Sequence, residues 1–253
     1  MVPFVAGLLG LVIGSFLTVV VYRAPRKESI VSPRSHCTSC GTMIPASQNI
    51  PIFSYVLLRG RCGHCGERIS PKYPLIELVT AALFVGAALR FESPYVALVM
   101  ALFFAVMLAV SLIDIEHGII PNRIIYPALP VFAVLELIGW AIGELDLARS
   151  VIGFLGYGGV LLIVALVAPR AMGMGDVKLV ALIGLVLGGL GLGYVWVAAG
   201  AGIFSGGIGA IAALLAGKGR KQTMPFGPYL AAGAVFSAFF GGEIASAYLN
   251  LLP

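Results

Sequence analysis

The run Tyr95-Val-Ala-Leu-Val-Met-Ala-Leu-Phe-Phe-Ala-Val-Met-Leu-Ala-Val-Ser-Leu-Ile113 is 19 residues without a charge, and Asp114 ends it. As a helix it matches the ~30 Å hydrocarbon core of a bilayer, which takes about 20 apolar residues to cross. Blocks of this kind recur at roughly 3–22, 74–90, 123–142, 149–168, 177–193, 194–216 and 226–248. The expected fold is therefore an all-α polytopic membrane protein with about eight transmembrane helices. The split between the sixth and seventh helices rests only on a glycine-rich turn within Gly188–Gly193. Composition agrees: 60% of the 253 residues are hydrophobic and 11% charged, where a soluble domain carries about 25% charged residues.

The net charge of +5 does not indicate nucleic acid. The basic residues sit between apolar blocks and form no basic stripe with interleaved aromatics. They follow the positive-inside rule and suit contact with anionic lipid. If residues 23–73 are cytosolic and eight helices alternate, the cytosolic side receives 14 of the 16 basic residues. These are Arg23, Arg26, Lys27, Arg34, Arg59, Arg61, Arg68, Lys72, Arg123, Arg170, Lys178, Lys218, Arg220 and Lys221. Only Arg90 and Arg149 fall outside, so both termini are expected outside. No cleavable signal peptide is evident, because no basic segment precedes the first block. No convincing internal repeat is evident. The 33 glycines are spread through the apolar blocks, as expected of helices packed closely through small residues.

The chain divides into a first helix (1–22), a polar region (23–73) and a seven-helix core (74–253). The polar region is short for a hydrophobic core of its own, and it holds all four cysteines. Cys37-Thr-Ser-Cys40 and Cys62-Gly-His-Cys65 form two CxxC pairs. Four thiolates at this spacing close a tetrahedron around Zn²⁺ and leave no open position, which makes the site structural. Gly41, Gly63 and Gly66 suit the tight turns around it. Disulfides, a redox pair or an iron–sulfur cluster are the alternatives, and a reducing cytosol disfavours the first.

Two aspartates stand at block ends on the expected cytosolic side. Asp114 closes the third block, and Asp176 opens the sixth within Gly173-Met-Gly-Asp176. Carboxylates at membrane depth are costly and mark function. Two at one depth suit an aspartic-protease dyad, one activating water and the other protonating the leaving group. That chemistry needs the carboxyl groups about 3–6 Å apart. Gly173 and Gly175 permit a close backbone approach before Asp176. The helix dipole favours charge on Asp176, at a helix start, and the proton on Asp114, at a helix end. Glu116 and His117 are expected to face the interface, and Lys178 to meet lipid phosphate.

The combination resembles the bacterial prepilin peptidases, or type IV leader peptidases, almost end to end. The family's GxGD signature matches Gly173-Met-Gly-Asp176. The opening Gly10–Pro25, the segments Asn49-Ile-Pro-Ile-Phe-Ser54, Leu58-Arg-Gly-Arg-Cys62 and Ile69–Glu77, and the loop Met224-Pro-Phe-Gly-Pro228 are similar to the family's pattern. Thr18 and Asn122 depart from it, standing where asparagine and aspartate are common.

The resemblance implies an intramembrane aspartyl endopeptidase of the bacterial inner membrane, with Asp114 and Asp176 catalytic. Its substrates would be type IV prepilins and type II secretion pseudopilins, cut after a glycine. It further implies N-methylation of the new terminus with S-adenosylmethionine as donor. Gly60 and Glu77 are the methyl-transfer candidates on the same ground. The alternative from another class is a proton-coupled transporter using the two aspartates as a relay; a scaffold built on the metal domain is a third.

Overall fold

A computed structural model describes residues 2–169, 172–215 and 225–251. Arg170, Lys218, Arg220, Lys221 and Met224, used above, lie outside the described residues. The helices are α1 (Val2–Arg23), α2 (Phe53–Leu57), α3 (Lys72–Arg90), α4 (Pro94–His117), α5 (Asn122–Ala141), α6 (Leu147–Val167), α7 (Met174–Leu190), α8 (Leu192–Leu215) and α9 (Gly227–Leu249). Eight of them correspond one to one with the eight apolar blocks, and no strand occurs among the described residues. Seven are long and apolar enough to cross a membrane. The remaining one, α7, has 17 residues, or about 26 Å at 1.5 Å per residue. The α7–α8 break falls at Gly191, whose φ of 145° is a backbone state that favours glycine.

The chain forms two compact units, residues 1–105 and 106–253. In the first, α1 and α3 run antiparallel through small residues. A Cβ on Gly10 would lie 2.6 Å from Ala81 Cα, and one on Gly14 would lie 2.7 Å from Glu77 Cα. Glycine here lets the two backbones touch, as expected where lipid supplies no hydrophobic drive for helix association.

The second unit is built around α7. Leu179, Leu182, Ile183, Val186 and Leu187 are fully buried. Buried along most of its length, the helix serves as the unit's core. It packs antiparallel to α6, with Gly158 on Ala181 and Gly188 on Ser150. It runs parallel to α5, near Asn122 at its start and Glu136 at its end. Helices α8 and α9 are antiparallel, with Gly193 beside Ala245 and Gly233 beside Gly202. Phe204 and Trp196 are 72% and 77% exposed. Apolar side chains so exposed suit a lipid-facing surface and not a wet one.

Gly14→Val puts a branched side chain against the α3 backbone. It is expected to lower stability in detergent by about 1–3 kcal/mol. Gly159→Ala, which meets open space, is the control and is expected to hold or raise stability. Thermal unfolding of the purified variants checks both.

Candidate active site and cysteine cluster

Helix α4 ends on Gly118, whose φ of 64° and bond from its N–H to Asp114 O (2.8 Å) make a left-handed cap. Asp114 therefore lies in the last turn, one turn deeper than the end of the apolar block suggests. It is 4% exposed. Its Oδ2 accepts from the Gly227 backbone N–H at 2.9 Å, across 113 residues of sequence. Gly227 is the first residue of α9. The contact requires glycine, since a Cβ there would sit 2.8 Å from Asp114 Oδ2.

Asp176 lies in the first turn of α7, with Gly173 at the N-cap. Its carboxylate turns back toward the backbone amides of Gly173 and Asp176 itself, in the manner of a capping residue at the third helical position. A Cβ on Gly173 would come 3.2 Å from Asp176 Oδ2. Asp114 thus stands at the start of α9 and Asp176 at the start of α7.

Between them stands a residue the motifs do not mark. Ile120, in the four-residue link from α4 to α5, has its Cβ 3.0 Å from where a Gly175 Cβ would be. Its Cδ1 lies 3.3 Å from where a Gly227 Cβ would be. Ile120 thus wedges the starts of α7 and α9 on either side of itself, and the glycines at both starts make room for it. Only its neighbourhood in space identifies it.

Lys178 does not reach outward as expected. Its Nζ donates to Asn122 Oδ1 (3.0 Å) and Tyr126 OH (2.9 Å), and it lies 4.6 Å from the Tyr126 ring centroid. The first turn of α7 is thereby tied to the first turn of α5. Glu116 and His117 are exposed, as expected. Nothing but its charge marks Glu136 within the 123–142 block, yet it is fully buried in α5. Its Oε2 accepts from Ser150 Oγ of α6 at 2.8 Å.

The cysteines of the first unit sit on two copies of one knuckle. In the first, Cys37 N bonds to Thr42 O, Gly41 N to Cys37 O and Ile44 N to Ser35 O. In the second, Cys62 N bonds to Glu67 O, Gly66 N to Cys62 O and Ile69 N to Gly60 O. Each partner is displaced by 25 residues. Gly41 and Gly66 share φ values of 71° and 73°. A short Cys-x-x-Cys-Gly-x-x-Ile repeat therefore exists at 37–44 and 62–69, where none was expected. Gly63 has a different reason: a side chain there would meet Gln48.

All four sulfurs lie within 4.8 Å of one another, and Cys37 Sγ and Cys65 Sγ are 3.8 Å apart. A tetrahedron with bonds of about 2.3 Å has edges of about 3.8 Å, whereas a disulfide needs about 2.05 Å. The cluster fits a metal ion. Thr42's side-chain and backbone bonds pull the Cys40 thiol down to about 6. Cys65, although the Glu67 amide favours its thiolate, is pushed up to about 12 by desolvation and the other three sulfurs.

A cavity of about 370 Å³ opens beside the knuckles. Its wall includes Thr18 and Arg23 of α1, Asn49, Ile52, Tyr55 and Glu77. Glu77 faces it. Gly60 does not line it, but Gly60 has a φ of 66° and a Cβ there would lie 2.9 Å from Tyr55 OH.

The family model described as "Bacterial Peptidase A24 N-terminal domain" matches residues 8–91. That of the "Type IV leader peptidase family" matches residues 101–242. A "Prepilin leader peptidase/N-methyltransferase" of Bacillus subtilis (strain 168) is 37% identical over 252 residues, covering 96% of each chain. One from Pseudomonas putida is 34% identical, covering 98% of this chain and 93% of its own. The "Type 4 prepilin-like proteins leader peptide-processing enzyme" of Escherichia coli O78:H11 (strain H10407 / ETEC) is 33% identical, covering 94% and 93%. No solved structure matches. The chain belongs to the type IV leader peptidase family and is a multi-pass membrane enzyme. The transporter alternative gains no support.

Gly227→Ala pushes a methyl group onto the Asp114 carboxylate and Ile120. The expected result is at least a tenfold loss of peptidase activity in purified protein. Gly207→Ala, in open space, is expected to match the wild type.

Proposed function

We propose that the protein cleaves the leader from type IV prepilins and type II secretion pseudopilins and then N-methylates the new terminus. The observation supporting the peptidase half is that two acids from distant blocks stand at two helix starts packed on one residue, Ile120. In this reading, one aspartate takes a proton from water as its oxygen attacks the scissile carbonyl carbon. The other gives its proton to the amine nitrogen as the C–N bond breaks, leaving a leader carboxylate and a free amine. Gly227 and the first turn of α7 hold the two carboxylates, and Gly173 and Gly175 let the backbone come close enough.

The topology belongs to the same reading. The cytoplasmic membrane would be the site, with both termini outside and the aspartates on the cytosolic side. The C-terminus of α4 and the starts of α5, α7 and α9 gather at one end of the second unit, which supports a single face for the chemistry. The substrate's apolar helix would lie among the enzyme's helices in contact with lipid, its glycine locally unwound so that the carbonyl is open to water.

The cysteine cluster, in this reading, holds one structural zinc through Cys37, Cys40, Cys62 and Cys65. Methyl transfer maps to residues 23–73 and the cavity beside the knuckles, with Glu77 and Gly60 as its candidate residues. S-adenosylmethionine, when bound, supplies an electrophilic methyl on a sulfonium. That methyl would be supplied to the substrate's neutral amine.

Asp114→Asn and Asp176→Asn are each expected to reduce cleavage of a peptide with basic leader, glycine and apolar helix to under a few per cent. Both variants should still insert and fold, as checked by unfolding temperature; substantial cleavage by either overturns the dyad. Cys37→Ser with Cys62→Ser is expected to lose about one zinc per chain by elemental analysis, with methylation impaired more than cleavage. Intact disulfides and no metal in protein purified under reducing conditions would contradict the zinc site.

A further inference from the structure

One wall of the cavity is built on a backbone conformation its residue resists. Ile52 has φ 59° and ψ −49°, and Phe53 N–H bonds to Pro51 O at 2.5 Å. Together these make a γ-turn with positive φ at its centre, the strained form of that turn. A β-branched side chain makes it worse. Such a state persists only where its surroundings over-determine it.

What holds it is visible. Glu77 Oε2 accepts from Ile52 N–H at 2.7 Å, across 25 residues. A carboxylate accepting from a backbone amide makes a stronger bond than a neutral partner would. Glu77 is itself 8% exposed, and its backbone is fixed where α3 touches Gly14. On the other side of the turn, Ile50 N–H donates to Ser54 Oγ (3.0 Å), and Ser54 Oγ donates to Ser47 O (3.1 Å). The turn starts α2, whose Tyr55 also lines the cavity and donates to Ile69 O in the second knuckle. One carboxylate on α3 thus anchors the turn that starts α2.

We infer that Glu77 is a positioning residue of the methyl-transfer site: it clamps the Ile52 amide, and the clamped turn shapes the cavity wall. This rests on the proposal that the cavity serves methyl transfer. It differs from a role in which Glu77 meets the cationic donor directly: here the working contact is the bond from the Ile52 amide to Glu77 Oε2. The two roles respond oppositely to glutamine, which keeps an acceptor oxygen and loses the charge. They also respond oppositely to glycine at position 52, which adopts positive φ without strain and so no longer needs the clamp.

Four forms of the full-length protein decide it: wild type, Glu77→Gln, Glu77→Ala, and Glu77→Ala with Ile52→Gly. Site-resolved hydrogen exchange reads the clamp, and the ratio of methylated to cleaved product reads the site. In the wild type the Ile52 amide should exchange slowly. Glu77→Ala should speed that exchange and lower the product ratio, each at least tenfold. Glu77→Gln should stay within about threefold of wild type in the ratio, and the double variant should recover most of the loss. A Glu77→Gln ratio as low as that of Glu77→Ala overturns the inference in favour of donor contact. So does an Ile52 amide that exchanges equally fast with and without Glu77. If the wild type makes no methylated product, the methyl-transfer reading fails instead, and the exchange result alone decides the clamp.

Discussion

The two aspartates of the site sit among apolar helices, where a carboxylate must be given polar partners, and theirs are found at helix starts. Asp114 takes the Gly227 amide at the start of α9, and Asp176 turns back over the start of α7. The rest of the second unit follows. Helix starts can serve both acids only if α7 and α9 begin at the end where α4 finishes. That demands alternation of the helices between, and glycines at 173, 175 and 227 so that nothing intrudes between amide and carboxylate. Ile120 fills what would otherwise be a gap between those starts, and the Lys178–Asn122–Tyr126 contact keeps α5 in register with α7.

This arrangement changes one inference about the pair. Sequence position alone sets Asp176 at a positive helix end and Asp114 at a negative one. The structure gives Asp114 a positive end too, that of a helix far along the chain. The helix dipole therefore does not by itself decide which of the two carboxyl groups holds the proton.

The first unit solves a different problem. A polar segment of some fifty residues cannot fold on burial alone, and here three things replace a core: four clustered sulfurs, a twice-used knuckle, and Glu77 reaching from α3 to hold Ile52. Each fixes a loop by a few strong, directional contacts. Such contacts tolerate backbone states that a hydrophobic core would not enforce, Ile52 among them.

Much of this is legible in the residues. The apolar blocks mark eight helices because bilayer thickness sets their length, and the cysteine spacing marks the cluster because it is one that suits a metal ion. The 25-residue repeat of the knuckle is equally legible, in Cys-x-x-Cys-Gly-x-x-Ile, but is hidden by the dissimilar residues around it. The Gly227–Asp114 bond, the Ile120 wedge and the Glu136–Ser150 contact are not legible, because each joins residues whose proximity only the packing creates. Ile52 lies deeper still: local preference argues against its conformation, and only its partner 25 residues on explains it.

The central claim is that Asp114 and Asp176 act together on one water molecule. A single turnover in ¹⁸O-labelled water tests it most directly. If the pair activates water, the new leader carboxylate carries one ¹⁸O after the first cleavage, and neither aspartate carries any. Unlabelled leader together with ¹⁸O in Asp114 or Asp176 would instead show that an aspartate attacks the peptide itself, and would contradict the account.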